Sequence, residues 1–171
     1  MSKGYIQVYT GNGKGKTTAS LGIMLRAICS GKKVFFGQFM KGQHYSELKA
    51  VEYLPGLEME QFGDLCFVDL KPRQQDIDDA KAGLKKMEEV LISGKYDMVI
   101  FDEINTSAFF KLVAIEEVIR VIERKPEATE LILTGRYASD ELIEIADLVT
   151  EMKEIKHYYN AGVEARVGIE N

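Results

Sequence analysis

A chain of 171 residues with 46% hydrophobic and 29% charged residues is long enough for one domain with a sizeable core, and this composition excludes a disordered protein. The formal net charge of −5 argues against a general nucleic-acid binder, because such proteins usually carry a basic surface that neutralises phosphates. No apolar run approaches the ~18 residues of a membrane span and no signal-peptide pattern opens the chain, so we expect one cytoplasmic domain over residues 1–171 without a membrane partner.

The first chemical landmark is a glycine-rich loop between the apolar run Tyr5–Tyr9 and a helical pattern that starts near Thr17. Strand, loop, Gly-Lys-Thr and helix in this order are typical of P-loop proteins, which hold nucleotide phosphates. Glycine lets successive backbone amides turn around an anion, and the helix adds its unpaired amides and its dipole. The predicted nucleotide-binding residues are Thr10, Gly11, Asn12, Gly13, Lys14, Gly15, Lys16, Thr17 and Thr18.

Lys16 and Thr17 are the residues of this loop with predicted chemical roles. We expect Lys16 to reach the outer phosphates as a catalytic residue and the Thr17 hydroxyl to ligate Mg²⁺. The glycine register differs from the usual P-loop, because Thr10 stands where glycine is expected and Gly11 comes one place late. A dinucleotide-binding G-x-G-x-x-G motif starting at Gly11 is excluded because it would need glycine at Lys16.

A second polar loop is predicted at the same edge of the sheet, directly after the next strand. Lys33–Phe39 is rich in apolar strand formers and indicates a buried parallel strand. The loop 40–46 then lies at the carboxyl end of a strand, where α/β sheets bind ligands. His44 in this loop is a candidate base, although a lone histidine is more often a solvated loop residue. A short helix over Ser46–Leu54, a strand over Leu57–Phe62 and a helix over Asp76–Ser93 follow.

The second chemical landmark is an apolar run, Tyr96–Glu103, that ends in two carboxylates. Carboxylates at the carboxyl edge of the sheet can hold Mg²⁺ directly or through water. A phosphate loop alone does not supply such carboxylates. Asp102 is predicted as the conventional Mg²⁺ partner. Glu103 is either a second metal partner or the acid that orients a water in hydrolytic relatives, so we treat it as a candidate metal ligand and catalytic residue.

The rest of the chain continues the alternation of helices and strands. The predicted elements are a helix in two pieces over Ser107–Lys125, a buried strand over Glu130–Gly135, a helix capped by Ser139 and a last strand over Leu148–Ile155. Arg136 follows a strand at the nucleotide edge, where it contacts phosphate or ribose or forms a surface ion pair. The aperiodic tail His157–Ile169 is expected to pack across the sheet edge. The pattern predicts an α/β fold, a P-loop NTPase-like three-layer sandwich with a mostly parallel central sheet.

With these residues in view, the chain resembles the ATP:corrinoid adenosyltransferases of the CobA/CobO/BtuR type over nearly its whole length. Six blocks carry the resemblance. They are YTGNGKGKTT at 9–18, QFMKG at 38–42, FDEIN at 101–105, LTGR at 133–136, ADLVTEM at 146–152 and NAGVEARVGIE at 160–170. The shifted glycine register is itself part of that family's loop. Only the phosphate loop and the Asp-Glu pair are generic, and the other blocks single out this family.

The resemblance implies adenosylcobalamin biosynthesis or salvage. A Co(I) corrinoid attacks C5′ of ATP, forms a Co–C bond and releases triphosphate, and family members hold ATP reversed relative to ordinary P-loop enzymes. Because Co(I) is already a strong nucleophile, the protein needs no general base. It has to orient C5′ and stabilise the leaving triphosphate through Lys16, the loop amides and Mg²⁺ or Mn²⁺, with Thr17 and Glu103 on the metal and Asp102 nearby.

The resemblance also implies a corrinoid-contacting segment and partner proteins. In related enzymes, aromatic side chains in the segment matching 62–73 crowd the lower face of the corrin. Phe62 and Phe67 are the candidates here, with core packing as the alternative, because this chain has no tryptophan. Relatives are homodimers that depend on a flavoprotein or another electron donor. Several carry an N-terminal segment over the corrinoid, so we expect closure here to depend on the partner subunit or on the loops after Phe39 and Phe62.

Two alternatives to adenosyl transfer remain open from the residues. A phosphoryl-transfer enzyme, either an NTPase or a small-molecule kinase, would need only the phosphate loop and Glu103. A nucleotide-binding regulatory module without turnover is disfavoured, because the loop lysine and the acidic pair are both intact.

Overall fold

Strands and helices alternate along the chain in the computed structural model, which describes residues 3–64 and 72–171. The strands are β1 (Ile6–Thr10), β2 (Val34–Phe39), β3 (Leu57–Phe62), β4 (Met98–Asp102), β5 (Glu130–Thr134) and β6 (Leu148–Glu151). The helices are α1 (Lys16–Cys29), α2 (Ala50–Tyr53), α3 (Gln74–Ile92), α4 (Ile104–Phe109), α5 (Ile115–Glu123) and α6 (Asp140–Ile145). Short 3₁₀ turns lie at Ser46–Lys49 and Tyr158–Ala161.

The strands of the described ranges form a single six-stranded sheet in the order β3-β2-β4-β5-β1-β6. Each neighbouring pair in this sheet is parallel. The carboxyl ends of β1, β2, β4 and β5 therefore meet at one edge, where the phosphate loop, the loop after β2 and the Asp102-Glu103 pair come together. The predicted α/β fold is confirmed, and the sheet is parallel throughout rather than mostly parallel.

Helices cover both faces of this sheet, so the protein has three layers and two apolar cores. Phe36, Ile100 and Ile132 lie in the core under α1, whereas Phe35, Phe101 and Leu133 lie in the core on the opposite face with α3. Successive residues of a strand point to opposite faces, and both sets are buried here. This explains why β2 and β4 are apolar along most of their length and carry polar side chains only near their carboxyl ends.

Three predicted boundaries were wrong, two because of local backbone conformation or capping and one because of a tertiary contact. The helix predicted from Ser107 begins at Ile104, directly after Glu103 adopts a left-handed conformation with φ 63°. The helix predicted from Asp76 begins at Gln74, because the Asp76 carboxylate accepts a hydrogen bond from the Arg73 amide at 2.8 Å. The strand predicted to reach Ile155 ends at Glu151, where the next residue leaves the sheet to bind the phosphate loop.

No helix in the described ranges combines the length and the apolar character that crossing a membrane requires. Residues 65–71 lie outside the described ranges, and the predicted corrinoid contact Phe67 is among them.

Two helical glycines provide a test of this packing. A Cβ on Gly83 would lie 2.6 Å from Cβ and Cγ of Phe62, whereas a Cβ on Gly22 would meet no heavy atom within 4 Å. Alanine favours a helix over glycine by about 1 kcal/mol, but overpacking a core costs roughly 1–3 kcal/mol. We therefore expect Gly22→Ala to raise the free energy of unfolding by about 0.5–1 kcal/mol in urea titrations. Gly83→Ala should lower it, and equal effects of the two substitutions would contradict the packing of α3 on β3.

Candidate active site

The phosphate loop is shaped by close contact with the backbone that follows β6. The Gly13 amide donates to the Met152 carbonyl at 2.7 Å, and the Met152 amide donates to the Thr10 carbonyl at 2.8 Å. A Cβ on Gly11 would lie 2.4 Å from the Met152 oxygen, and φ of Gly11 is +95°. Gly11 is therefore needed both for its conformation and for this approach, which gives a physical reason for the shifted glycine register.

The loop opens onto a cleft of about 530 Å³ at the carboxyl edge of the sheet. Of the predicted nucleotide-binding residues, Asn12 to Thr18 and Arg136 line this cleft, while the Thr10 hydroxyl is used within the protein and accepts from the Ala138 amide at 3.1 Å. Other lining residues were not predicted as ligands. They are Leu21, Lys41, Tyr45, Ser46, Glu47, His157, Gly168, Ile169, Glu170 and Asn171.

Lys16 is the buried cation of the loop. Lys16 is the first residue of α1 and is 7% exposed. Its Nζ donates a hydrogen bond to the Gly13 carbonyl at 2.7 Å. Burial lowers the pKa of Lys16, and the nearby Glu103 carboxylate acts in the opposite direction. The ammonium is thus held inside the loop without a direct carboxylate hydrogen bond, in a position where an entering phosphate can exchange with a single carbonyl.

Asp102 is completely buried at the end of β4 and is bound from several sides. Thr134 Oγ1 and Thr17 Oγ1 lie 2.6 and 3.0 Å from Oδ1, and Lys41 Nζ lies 2.9 Å from Oδ2. These contacts place Asp102 beside the loop threonine, as the sequence predicts. A buried carboxylate with these partners is fixed in both position and orientation.

Glu103 is oriented by its own backbone and by two threonines. Its amide donates to Thr134 Oγ1 at 3.0 Å, and its carboxylate accepts from Thr106 Oγ1 at 2.6 Å. Burial raises the pKa of Glu103, and the charge of Asp102 raises it further. The left-handed backbone turns this carboxylate toward the cleft that Lys16 and Arg136 also line.

The oxygen donors at this point fit a magnesium ion that arrives with a nucleotide. The Thr17 hydroxyl and the Asp102 carboxylate are in contact, and Glu103 lines the same cleft. In the part of the chain that the structure describes, no group of three or more His, Cys, Asp or Glu forms a complete protein metal site. Mg²⁺ usually binds through one or two carboxylates, waters and substrate phosphates, so a partial donor set suits it.

Lys41, Glu47 and Thr134 are site residues that sequence reasoning did not single out. Lys41 and Glu47 follow β2, and their side chains approach the site across the sheet edge. The block at 38–42 was a signal for Lys41, because it follows a strand that ends beside Asp102. His44, the candidate base in the same loop, is exposed and is not among the lining residues of the cleft.

The C-terminal tail lies over the phosphate loop rather than along the outer strand. The residues of β6 are exposed along their length. Lys14 Nζ donates to the Ile169 carbonyl at 3.1 Å and lies 3.7 Å from Glu170, while Ser46 Oγ donates to the Asn171 carbonyl at 3.0 Å. The tail therefore connects the loop to the segment after β2 and forms one wall of the cleft.

Glu170 is the residue whose removal should loosen this wall. It accepts from Arg166 Nε at 3.2 Å and from the Tyr158 hydroxyl, in addition to its ion pair with Lys14. Glu170 joins these partners in one cluster, and solvent screening limits the effect of its charge on an opening equilibrium to several-fold. We expect Glu170→Gln to speed tryptic cleavage after Lys156 and Arg166 about fivefold. Glu164→Gln, at an exposed position of the same tail, is the control and should leave the rate unchanged.

Phe62 packs in the core, and its expected contact with a corrinoid stays a prediction. The side chain is 8% exposed and packs on Phe39 at a ring-centroid distance of 5.3 Å, with Gly83 of α3 against it. The structure therefore shows the core packing that was considered as the alternative for this residue. Phe67, the second candidate, lies outside the described ranges.

Comparison with known proteins identifies the family. Residues 2–171 match the family model described as ATP:corrinoid adenosyltransferase BtuR/CobO/CobP. A corrinoid adenosyltransferase from Sinorhizobium sp. is 38% identical over 98% of this chain and 80% of its own length. Proteins of that name from Escherichia coli K12 and Salmonella typhimurium LT2 are 33% identical over 98% of this chain and 86% of theirs. With its phosphate loop and acidic pair meeting in one cleft, this chain belongs to the ATP:corrinoid adenosyltransferase family.

Proposed function

We propose that this enzyme transfers the 5′-deoxyadenosyl group of ATP to the Co(I) centre of a corrinoid and releases triphosphate, in adenosylcobalamin biosynthesis or salvage. The observation that carries the proposal is the family match over residues 2–171, and relatives that match nearly the whole chain are named corrinoid adenosyltransferases. The cleft supports it, because the phosphate-loop residues and four cationic side chains line one cavity. Those cations are Lys14, Lys16, Lys41 and Arg136.

The proposed reaction is a displacement at carbon. The electron pair of Co(I) forms the Co–C bond to C5′, the bond between C5′ and its oxygen breaks, and its electron pair leaves with the triphosphate. The nucleophile carries no proton, so the reaction requires no general base. Glu103 suits this chemistry, because its carboxylate is hydrogen-bonded to Thr106 and does not need to accept a substrate proton.

The residues of the cleft would stabilise the leaving group and fix its orientation. Lys16, Arg136 and the amides of Asn12 to Thr18 would bind the phosphates, which presents C5′ to the corrinoid if ATP lies reversed as the family resemblance implies. Thr17, Asp102 and Glu103 would hold Mg²⁺, with Mn²⁺ as a substitute. The metal would neutralise charge that develops on the leaving triphosphate. Phe67 remains the proposed contact to the lower face of the corrin.

The proposed working unit is a cytoplasmic homodimer that receives electrons from a flavoprotein or another reductant, so that the cobalt reaches the Co(I) state. These features are carried over from the family resemblance. Sedimentation of the purified protein tests the dimer, and reduction assays with candidate donors test the electron supply.

Product analysis distinguishes this function from its alternatives. The protein is incubated with Mg-ATP and a chemically reduced corrinoid, and the phosphate and corrinoid products are separated and identified. We expect intact triphosphate and an adenosylated corrinoid in equal amounts. ADP and orthophosphate without alkylation would instead identify an NTPase or a kinase. Tight ATP binding with no product would identify a regulatory module, and a reaction without protein sets the background.

A further inference from the structure

The strongest unassigned feature of the cleft is the position of Lys41, just beyond the end of β2. Its ammonium lies 2.9 Å from Asp102 Oδ2 and 3.8 Å from Glu47 Oε1, and the Tyr45 ring centroid is 4.9 Å away. The side chain is only 13% exposed, yet it lines the same cleft as Lys16, Glu103 and Arg136. A nearly buried cation is thus the closest partner of Oδ2 of the carboxylate that is expected to serve the metal, with Thr17 and Gln38 at 3.3 and 3.5 Å from the same oxygen.

The backbone that carries Lys41 is held firmly. The Met40 amide donates to the Phe62 carbonyl at 2.9 Å, and Met40 itself has φ of +57°. A Cβ on Gly42 would lie 2.5 Å from the Gly63 carbonyl oxygen, so this segment is in close contact with the chain after β3. Movement of the ammonium therefore has to come from the side-chain torsions, for which a lysine stem is well suited.

We propose that Lys41 is a further nucleotide-binding residue. Its ammonium neutralises Asp102 when no metal is present, and the side chain swings to bind the polyphosphate when Mg·nucleotide enters. This inference rests on the proposed function, because it requires a nucleotide in the cleft. A divalent cation held by Asp102 would repel the Lys41 ammonium, which lies 2.9 Å from the same carboxylate, and would favour its displacement. The phosphates beside the metal offer it a new anionic partner.

The competing interpretation is a permanent ion pair that supports only the fold. The two interpretations predict different binding behaviour once the charge is removed and the apolar length of the side chain is kept. If the ion pair is permanent, the other cations of the cleft bind the nucleotide, and removing the Lys41 charge leaves the nucleotide affinity unchanged. An exchanging lysine competes with metal when no nucleotide is bound and assists the nucleotide when it enters, so its loss changes the two affinities in opposite directions.

The test uses Lys41→Met and isothermal titration calorimetry with two probes, MgCl₂ alone and Mg-ATP. We expect the variant to bind Mg-ATP at least about tenfold more weakly, which is the scale of one charge-assisted hydrogen bond, and to bind Mg²⁺ alone more tightly than the unaltered protein. Lys41→Arg should retain Mg-ATP affinity within about threefold, because it keeps the charge. Lys95→Met, which removes an exposed lysine paired with Glu58, is the matched control.

Unchanged Mg-ATP affinity in Lys41→Met would overturn the proposal, and so would a parallel loss of both affinities, since that indicates collapse of the site. If Lys41→Met does not fold, the ¹⁵Nζ resonance of Lys41 in the unaltered protein gives the answer. It should shift when Mg-ATP is added, and an unmoved resonance overturns the proposal. A protein that binds Mg-ATP without adenosylating a corrinoid would contradict the proposed function and leave the role of Lys41 intact.

Discussion

Lys16→Ala is expected to lower kcat/KM for adenosyl transfer by about 100-fold, which corresponds to about 2.7 kcal/mol of transition-state stabilisation. In the proposed reaction the charge on the leaving triphosphate grows as the C5′–O bond breaks, so an ammonium inside the loop stabilises the transition state more than the bound ground state. The loss should therefore be larger in kcat than in KM. Steady-state rates with chemically reduced corrinoid measure both quantities without involving the electron donor.

Lys14→Ala is the matched control for this substitution. Lys14 lies two residues away in the same loop, but its ammonium binds the Ile169 carbonyl and Glu170 of the tail, and its side chain is 37% exposed. A solvated cation contributes less to a phosphate than a buried one, because water screens its charge. We expect a loss of only a few-fold. Equal losses for the two variants, or a near-normal rate for Lys16→Ala, would contradict the role given to Lys16.

The parts of the site that are local in sequence could be predicted from the sequence. The glycines and Lys16 act within a single strand–loop–helix unit, so their spacing carries the information. Asp102 and Glu103 follow an apolar strand whose carboxyl end must lie at the edge where the phosphate loop lies. Their contact with Thr17 is then a consequence of the parallel order of the sheet.

The parts that depend on contacts between distant segments could not be predicted. Lys41 reaches Asp102 across the neighbouring strands β2 and β4, which are about 60 positions apart in the sequence. The residues themselves do not reveal the register of these two strands. The tail meets Lys14 through the Ile169 carbonyl, which has no sequence signature, and through one of many acidic side chains, Glu170. The burial of Phe62 is a further example, because the space for its ring is left by Gly83 of α3, about 20 positions away in the sequence.

Asp102→Asn should damage both the stability and the activity of the protein. Asn keeps the shape but removes the charge that pairs with Lys41, and this leaves a nearly buried ammonium with only the Glu47 carboxylate, 3.8 Å away. Breaking a buried pair in this way costs roughly 3 kcal/mol of unfolding free energy. The Thr17 and Thr134 hydroxyls can rotate to suit an amide, so they add less to the loss. Urea titration measures the stability, and initial rates over a range of Mg²⁺ concentrations measure the activity.

The double variant Asp102→Asn/Lys41→Met separates these two losses. Removing the ammonium that has lost its close partner eliminates its desolvation cost, so we expect the double variant to regain about half of the lost unfolding free energy. Activity should stay at least about 100-fold below that of the unaltered enzyme, because a carboxylate for the metal and a cation for the phosphates are then both missing. If the double variant regained activity along with stability, the role of Asp102 would be structural only. Thr17 and Glu103 would then be sufficient to bind Mg²⁺. If the double variant stayed unstable while Lys41→Met alone was stable, the loss of unfolding free energy would come from the buried Asn amide rather than from the Lys41 ammonium.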